Sequence, residues 1–409
     1  MVLRDRHVVL GVTGGIAAYK ACDLASRLVK AGAIVDVIMT EAATHFVAPL
    51  TFQTLTQRPV VTDMFALLQE TEIGHVSLAH RAELLIIAPA TANTIAKLAA
   101  GLADNMLTAT ALDTRAPLLI APAMETGMWE NPITQANLAR LRERRDVTVV
   151  GPAVGRLASG GVGVGRMAEP EEIFEWACIV LGCRSDLAGQ RVVVTAGGTQ
   201  EPVDPVRILT NRSSGKMGVA LAVAARNRGA AVTLIHAPLL VPLPTGVQAV
   251  PVSTAMDMRQ AVLAAVPEID VLIMAAAVAD YRPAAPAAHK IKKEREEALT
   301  LHLVRNPDIL SEVAAQRQTS GRPQVVVGFA AESRDLVANA RAKLAAKRLD
   351  LIVANDITAR DSGFGVDTNR VTILDAEGGV MELPLLAKAE VAERVLDQVV
   401  IRLSRVGRA

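Results

Sequence analysis

The sequence predicts an α/β fold in two successive domains, each a parallel sheet covered by helices on both faces. Short unbroken apolar runs such as His7–Val12 and Val325–Glu332 mark strands buried on both sides, and they alternate with Gly- or Ser-bearing turns and Ala-rich helical stretches. The plan also restarts: Val192–Thr195 echoes the first strand, and Val271–Asp280 echoes Leu84–Asn93. Finally, 409 residues, 51% hydrophobic and 21% charged, provide large cores for about two or three domains of ~150 residues. Gly182–Gln190 turns polar and small, a short linker that divides the chain into 1–187 and 188–409.

Several classes are excluded on the same grounds. The apolar runs break within about ten residues, too short to cross a bilayer. Met1–His7 lacks the pattern of a signal peptide. A net charge of +1 leaves no footprint for nucleic acid. Cys22, Cys178 and Cys183 stand at neither disulfide nor zinc spacing, so a reduced, cytoplasmic protein is expected.

In the first half, His7–Val12 is the first strand, and Thr13–Lys20 turns into a helix that runs to about Lys30 and stops at Gly32. The small residues of that turn expose amides at a helix N-terminus, where phosphate can sit. Ile34–Met39 is the second strand, and Thr40 is the N-cap of a helical turn through Glu41 and Ala42. Leu84–Asn93 is a strand and turn with small and polar residues at its carboxyl end, the position at which open α/β sheets bind ligands. Ala116–Ala121 and Val147–Val150 are further strands, with the Pro122–Trp129 segment between them. Gly151–Arg166 is rich in glycine and reads as a mobile flap, and a helix runs on from Glu169-Pro170 to Leu181.

In the second half, the strand Arg191–Val194 and the helical run Val219–Arg228 flank Thr195–Gly218, about two dozen residues where a strand-to-helix turn needs only a few. Gly197 and Gly198 let the backbone approach a ligand, and Ser213, Ser214 and Gly215 put free amides at a helix N-terminus. This points to a nucleotide or phosphate site rather than a surface loop. It is not a Walker loop, because Met217 stands where Ser or Thr should hold magnesium, and the dinucleotide Gly-x-Gly-x-x-Gly is absent.

Val232–His236 and Val247–Val252 are strands, the latter before a helix cap in Ser253–Asp257. Lys290–Lys293 precedes Glu294–Glu297, a charge run whose ordinary reading is a solvated face. Leu299–Val304 is a strand leading to Asn306–Leu310, where Pro and Asp start a helix. Val325–Glu332 is a buried strand. The helix from Asp335 to about Arg348 puts Lys343 and Lys347 on one face. Leu351–Asp356 is the last core strand before a hairpin-like region at 370–384.

The first half resembles the flavin-containing cysteine decarboxylase family. It carries Gly14-Gly15-Ile16-Ala17-Ala18-Tyr19-Lys20, His75 in Gly-His-Val-Ser-Leu, Ala88-Pro89-Ala90-Thr91-Ala92-Asn93, the Pro-x-Met-x-x-x-Met-Trp box at 122–129 and a flap ending in Gly163–Met167. The resemblance implies a flavodoxin-like domain binding FMN through Gly14, Gly15, Ile16, Ala17, Thr40, Ala88, Pro89, Thr91, Asn93 and Met124. It implies oxidation of a substrate cysteine thiol towards a thioaldehyde, loss of carbon dioxide and return of the electrons by reduced flavin. His75 matches the family's catalytic histidine, and a near-neutral imidazole suits removal of a thiol proton. Two positions depart from the family. Glu125 stands where an Asn usually helps to hold the substrate carboxylate, and two carboxylates repel unless one is protonated or bridged by a cation. Ser159 stands where a flap Cys commonly donates a proton, and a hydroxyl is a far weaker acid. Decarboxylation is expected to survive, with Glu125 one conceivable donor in the thiol's place.

The second half resembles the phosphopantothenate–cysteine ligase family. The long glycine loop, Ala275-Ala-Ala-Val-Ala-Asp280, Lys290-Ile-Lys-Lys293, Asn306-Pro-Asp-Ile309 and Val327-Gly-Phe-Ala-Ala-Glu332 occur in the family's order. The resemblance implies a second Rossmann-like domain that joins 4′-phosphopantothenate to L-cysteine after nucleotidyl activation of the carboxylate, usually by CTP. Mg2+ (or Mn2+) and lysines would neutralise the leaving pyrophosphate. By resemblance Lys290 contacts the phosphates or transition state, and Lys343 and Lys347 hold the triphosphate. Asp280 contacts the nucleotide; Met274, Ala275, Ala276, Asn306, Pro307, Asp308, Ile309 and Phe329 line or flank its site. Asn211 holds the acyl intermediate and Arg207 the phosphopantothenate phosphate. The resemblance also implies trimers of the flavin domain and dimers of the ligase domain. The expected function is conversion of phosphopantothenate to phosphopantetheine. The alternatives are a ligase with a degenerate flavin domain, and a non-catalytic flavoprotein that regulates a partner, against which the Lys290–Lys293 motif argues.

Overall fold

The computed structural model describes residues 2–65, 74–144, 146–292, 299–332, 334–356, 363 and 365–406. It divides into two compact units, Met1–Gly182 and Cys183–Ala409.

The first unit begins β1 (His7–Val12), α1 (Ala18–Lys30), β2 (Ile34–Met39), α2 (Glu41–Thr44), α3 (Pro49–Thr56), β3 (Val60–Val61), α4 (Gly74–Arg81) and β4 (Leu84–Ala90). It continues α5 (Ala92–Ala100), α6 (Met106–Asp113), β5 (Leu118–Pro122), α7 (Thr126–Trp129), α8 (Pro132–Arg144), β6 (Val147–Val149), β7 (Ala153–Arg156), β8 (Val162–Arg166) and α9 (Pro170–Gly182). Six strands form one parallel sheet in the order β3-β2-β1-β4-β5-β6. Side chains alternate across it: Val8, Leu10 and Val12 enter the core under α1 and α9, whereas Val9 enters the core with Leu107 of α6 and Leu138 of α8. The strand order reverses direction between β1 and β4, so the carboxyl ends of these two strands flank a crevice. The glycine-rich flap is an antiparallel ribbon, β7 against β8.

The second unit begins β9 (Arg191–Ala196), β10 (Gln200–Pro202), β11 (Ile208–Thr210), α10 (Lys216–Asn227), β12 (Ala231–His236), β13 (Gln248–Pro251), α11 (Ala255–Ala265), β14 (Val271–Met274), β15 (Tyr281–Pro283) and β16 (Leu303–Arg305). Beyond these come α12 (Ile309–Ser320), β17 (Val325–Glu332), α13 (Leu336–Ala346), β18 (Leu351–Asp356), β19 (Thr368–Asn369), β20 (Val371–Asp375), β21 (Val380–Glu382), β22 (Leu386–Ala387) and α14 (Lys388–Val406). The sheet order is β13-β12-β9-β14-β17-β18-β20-β21, parallel as far as β18 and antiparallel from β18 to β21. The reversal here falls between β9 and β14. Thr254 caps α11 in a reciprocal box with Asp257.

Two expectations need correction. The run Leu299–Val304 does not form one strand: only Leu303–Arg305 pairs, antiparallel with β15, while Leu299 and Leu301 are exposed and so gain nothing from alternation. The long loop is partly ordered as the hairpin β10–β11. Of the charge run, residues 293–297 lie outside the described residues. The terminal helix α14, which no motif announces, buries Val391, Val395, Leu396 and Val399 in the core with α10. Each such side chain is worth about 1.5–3 kcal/mol.

Candidate active sites

In the first unit, three loops leave the carboxyl ends of the adjacent strands β2, β1 and β4. The buried Thr13 hydroxyl donates to Pro89 O at 2.8 Å and accepts from Thr91 N at 3.1 Å, which ties the β1 and β4 loops together. Thr91 caps α5 by accepting from Thr94 N, and Thr40 caps α2 by accepting from Ala43 N at 3.3 Å. Gly14 is required by packing, since a Cβ there would stand 2.4 Å from that of Ala42. Ile16 and Asn93 are exposed, whereas Ala88 and Pro89 are buried within β4 and can meet a ligand only through backbone. His75 is half-buried in the first turn of α4.

The flap lies directly on the 124–126 segment. Met124 N donates to Gly165 O at 3.0 Å, and the Ser159 hydroxyl donates to Glu125 Oε2 at 3.0 Å. The two positions that depart from the decarboxylase pattern therefore touch each other. Beside them the Thr126 hydroxyl is buried without a hydrogen-bond partner among the described residues, an arrangement that calls for a polar ligand atom.

In the second unit a cavity of about 410 Å3 opens where β9 and β14 end. The long loop and the start of α10 supply Asn211 and Ser213–Gly218; the turn after β14 supplies Met274–Asp280. Asn306–Leu310 and Phe329–Ala331 form another wall, with Lys343 of α13 and Lys347 at its C-cap. A Cβ on Gly218 would be 2.7 Å from Thr195 O, so α10 starts flush against β9 only because that residue is glycine. The Ala275–Ala279 turn is held from three sides. Ala276 N donates to the Thr195 hydroxyl (3.1 Å), Ala279 N donates to the Thr199 hydroxyl (2.9 Å), and the Asn306 amide donates to Ala279 O (2.8 Å). The Asn211 amide reaches Ala277 O and Val278 O, both at 3.3 Å.

Four lysines line this cavity. Lys343 pairs with Glu332 at 2.5 Å and Lys347 with Asp308 at 3.3 Å. Burial pushes the Asp308 carboxyl up, but Lys347's charge and Ser311 outweigh it and hold the group below the usual carboxylate range. Across the cavity Lys216 pairs with Asp367 at 2.6 Å and donates to Gly365 O, while the buried Lys388 donates to Gly363 O and Val366 O. Burial, reinforced by the charge of Lys216, lowers the pKa of Lys388 against the pull of Asp367.

Two family models match the chain: "Flavoprotein" over residues 2–181, and "DNA/pantothenate metabolism flavoprotein C-terminal domain" over 187–402. The coenzyme A biosynthesis bifunctional protein CoaBC of Bacillus subtilis is 47% identical over 99% of both chains. Those of Vibrio cholerae and Mycobacterium tuberculosis are each 46% identical, covering 96% and 98% of this chain and 98% and 97% of their own. The chain belongs to the bifunctional coenzyme A biosynthesis protein family.

As a member of that family it brings most of the expected ligase residues to one cavity: Asn211, Met274, Ala275, Ala276, Asp280, Asn306–Ile309, Phe329, Lys343 and Lys347 all line it. Two expected residues stand elsewhere. Lys290 is exposed and forms no part of the cavity wall, and Arg207 is engaged with Asp204 and Ile291. Lys216, Lys388, Asn355 and Asn369 line the cavity although no sequence pattern gives them a role. For Lys388 the only signal is its place at the head of an amphipathic helix, which says nothing of what lies above it.

Proposed function

We propose that the second unit, residues 188–409 by the sequence division, joins 4′-phosphopantothenate to L-cysteine at the expense of CTP. The first, residues 1–187, then decarboxylates phosphopantothenoylcysteine to 4′-phosphopantetheine. The observation that carries this reading is the single cavity on which the glycine loop, the Ala275–Asp280 turn, Asn306–Ile309, Lys343 and Lys347 converge. In the ligation, a carboxylate oxygen attacks the α-phosphorus and pyrophosphate leaves; the cysteine amine then displaces the nucleoside monophosphate. The negative charge grows on the leaving pyrophosphate, where Lys343, Lys347 and the amides at the α10 N-terminus stabilise it. No three His, Cys, Asp or Glu side chains among the described residues cluster to hold a metal ion. Mg2+ or Mn2+ would be carried by the triphosphate, and Asp280 and Asp308 are the carboxylates that line the cavity among the described residues.

The first unit fits FMN: loop amides and the Thr13–Thr91 stitch suit its phosphate, exposed Ile16 suits its ring, and the orphaned Thr126 hydroxyl suits a polar partner. Bound there, the flavin supplies reversible two-electron oxidation. His75 would take the thiol proton, the role its resemblance implies, and the Ser159–Glu125 hydrogen bond joins the flap tip to the 124–126 segment. No helix among the described residues is long and apolar enough to cross a membrane, which suits the cytoplasmic location proposed. Self-association into flavin-domain trimers and ligase-domain dimers belongs to the same proposal, and exposed Tyr19 and Leu50 in the first unit and Val206 and Ile208 in the second are available to it.

The test supplies phosphopantothenate, cysteine and CTP and monitors pyrophosphate and carbon dioxide separately. Release of both supports the full reading. Pyrophosphate alone identifies a ligase whose flavin unit is inactive, and release of neither overturns the proposal. Within the cavity, Lys343→Gln and Lys347→Gln should each raise KM for CTP about tenfold to a hundredfold, the worth of one charged hydrogen bond. Raising the ionic strength should raise KM in the native protein too, since part of the attraction is screened. KM unchanged in both variants would move the triphosphate away from α13.

A further inference from the structure

Asp204 lies in the turn between β10 and β11, and its side chain is wholly shielded from solvent. Its Oδ1 accepts from Val206 N and Arg207 N, each at 2.8 Å. Its Oδ2 accepts from Ile291 N at 3.1 Å and pairs with the Arg207 guanidinium at 2.9 Å. The same guanidinium donates to Ile291 O at 2.5 Å. Both backbone polar groups of Ile291 are therefore held by one ion pair, and Ala287 N adds a second tether to Val203 O at 2.9 Å. Burial pushes the Asp204 carboxyl up, but the amides of Val206, Ile291 and Arg207 and the guanidinium charge outweigh it and hold it below the usual carboxylate range.

We infer that Asp204 and Arg207 form a clip that positions Lys290 for ligation, with Arg207 spent on Ile291 rather than on the substrate's phosphate. The inference rests on the ligase reading above and deepens it. Lys290 is the residue next to the clipped one, so its backbone can move little while Ile291 is held at both N–H and C=O. A lysine contributes to a transition state only if its backbone is fixed; a free segment would spend binding energy on ordering the chain. Asp204 touches no reacting atom and is a positioning residue. Both contacts run through one guanidinium nitrogen, Nη2, so a lysine ammonium with its three protons can reproduce part of the hold.

Four variants of the full-length protein test it: Asp204→Ala, Arg207→Ala, the double variant and Arg207→Lys. Two readouts are used. Trypsin cleavage after Lys290 and Lys292 reports the clip and needs no activity; ligation kinetics report its use. Either alanine variant should be cleaved about tenfold faster, the worth of one charged hydrogen bond, because each removes such a bond that holds Ile291. Ligation kcat should fall about tenfold, with KM for phosphopantothenate within about twofold of the native value. The double variant should match the single ones, since either change already opens the clip. Arg207→Lys should restore part of kcat. If Asp204→Ala does not fold, as judged by circular dichroism, Asp204→Asn keeps the volume and replaces it. Arg207→Ala raising KM for phosphopantothenate while Asp204→Ala leaves both constants alone would return Arg207 to the substrate and overturn the clip. Native cleavage rates in the alanine variants would overturn it too. A native protein that does not ligate defeats the ligase reading alone, because the cleavage arm still reads the clip.

Discussion

Lys290→Gln is expected to lower ligation kcat by about 10²–10³ while leaving the flavin bound, the protein folded and decarboxylation of supplied phosphopantothenoylcysteine unchanged. The magnitude is that of removing one preorganised group from a developing anion, about 2.7–4 kcal/mol. Lys290 is exposed and forms no ion pair among the described residues, so glutamine removes its charge without leaving a buried partner behind. An exposed lysine with no fold to support should cost nothing in thermal midpoint when neutralised. Activity lost at unchanged stability therefore assigns it to chemistry. The expected contrast with Lys343 and Lys347 is in kind: those two stand on the cavity wall and should act on KM, whereas Lys290 stands outside it and, if it acts only once the reacting phosphate is engaged, its loss should lower kcat. Stopped ligation with an unchanged yellow protein is the result expected; native turnover would remove Lys290 from the mechanism.

What the sequence could reveal depended on the range of the interactions involved. Strands such as His7–Val12, Val325–Glu332 and Leu351–Asp356 were legible to the residue, because a strand buried on both faces must be apolar throughout. Thr40 and Thr254 were legible as caps because a cap bonds within three residues. One wall of the cavity was legible in the glycine and serine residues of the loop at 195–218, but the others only through resemblance; nothing in the spacing of Asn306 and Lys343 places them on one wall. The contacts of Arg207 were not legible: a guanidinium in a glycine-rich loop invites an anion, and its bond to Ile291 lies 84 positions away in the sequence. Lys388 and Asn369 reach the cavity only through the antiparallel extension of the sheet past β18, a reversal that no local pattern announces. The run at Leu299–Val304 failed for the opposite reason: alternation was present, but no sheet lay beneath it.

Gly165→Ala should cut carbon dioxide release at least about tenfold and leave pyrophosphate release untouched. A Cβ at this position would stand 2.1 Å from the Met124 carbonyl oxygen and 3.2 Å from Leu157 Cδ2. The first obstacle is backbone, so no rotamer change relieves it, and overpacking of this kind costs about 1–3 kcal/mol. The cheapest relief is for β8 to lift off the 124–126 segment, which breaks the Met124 N to Gly165 O bond and carries the flap tip with it. The Ser159–Glu125 hydrogen bond then opens, so the carboxylate and the hydroxyl that occupy the two unusual positions no longer meet. Gly163→Ala is the internal control. Its Cβ would meet the Thr126 hydroxyl at 2.2 Å, a side-chain atom that can rotate away, so the loss should be smaller. The second unit has its own cores, and for that reason ligation should be indifferent to both changes. Equal carbon dioxide release from the native protein and Gly165→Ala would mean that the flap need not lie on the Met124–Thr126 segment for decarboxylation, and that the Ser159–Glu125 contact has no part in it.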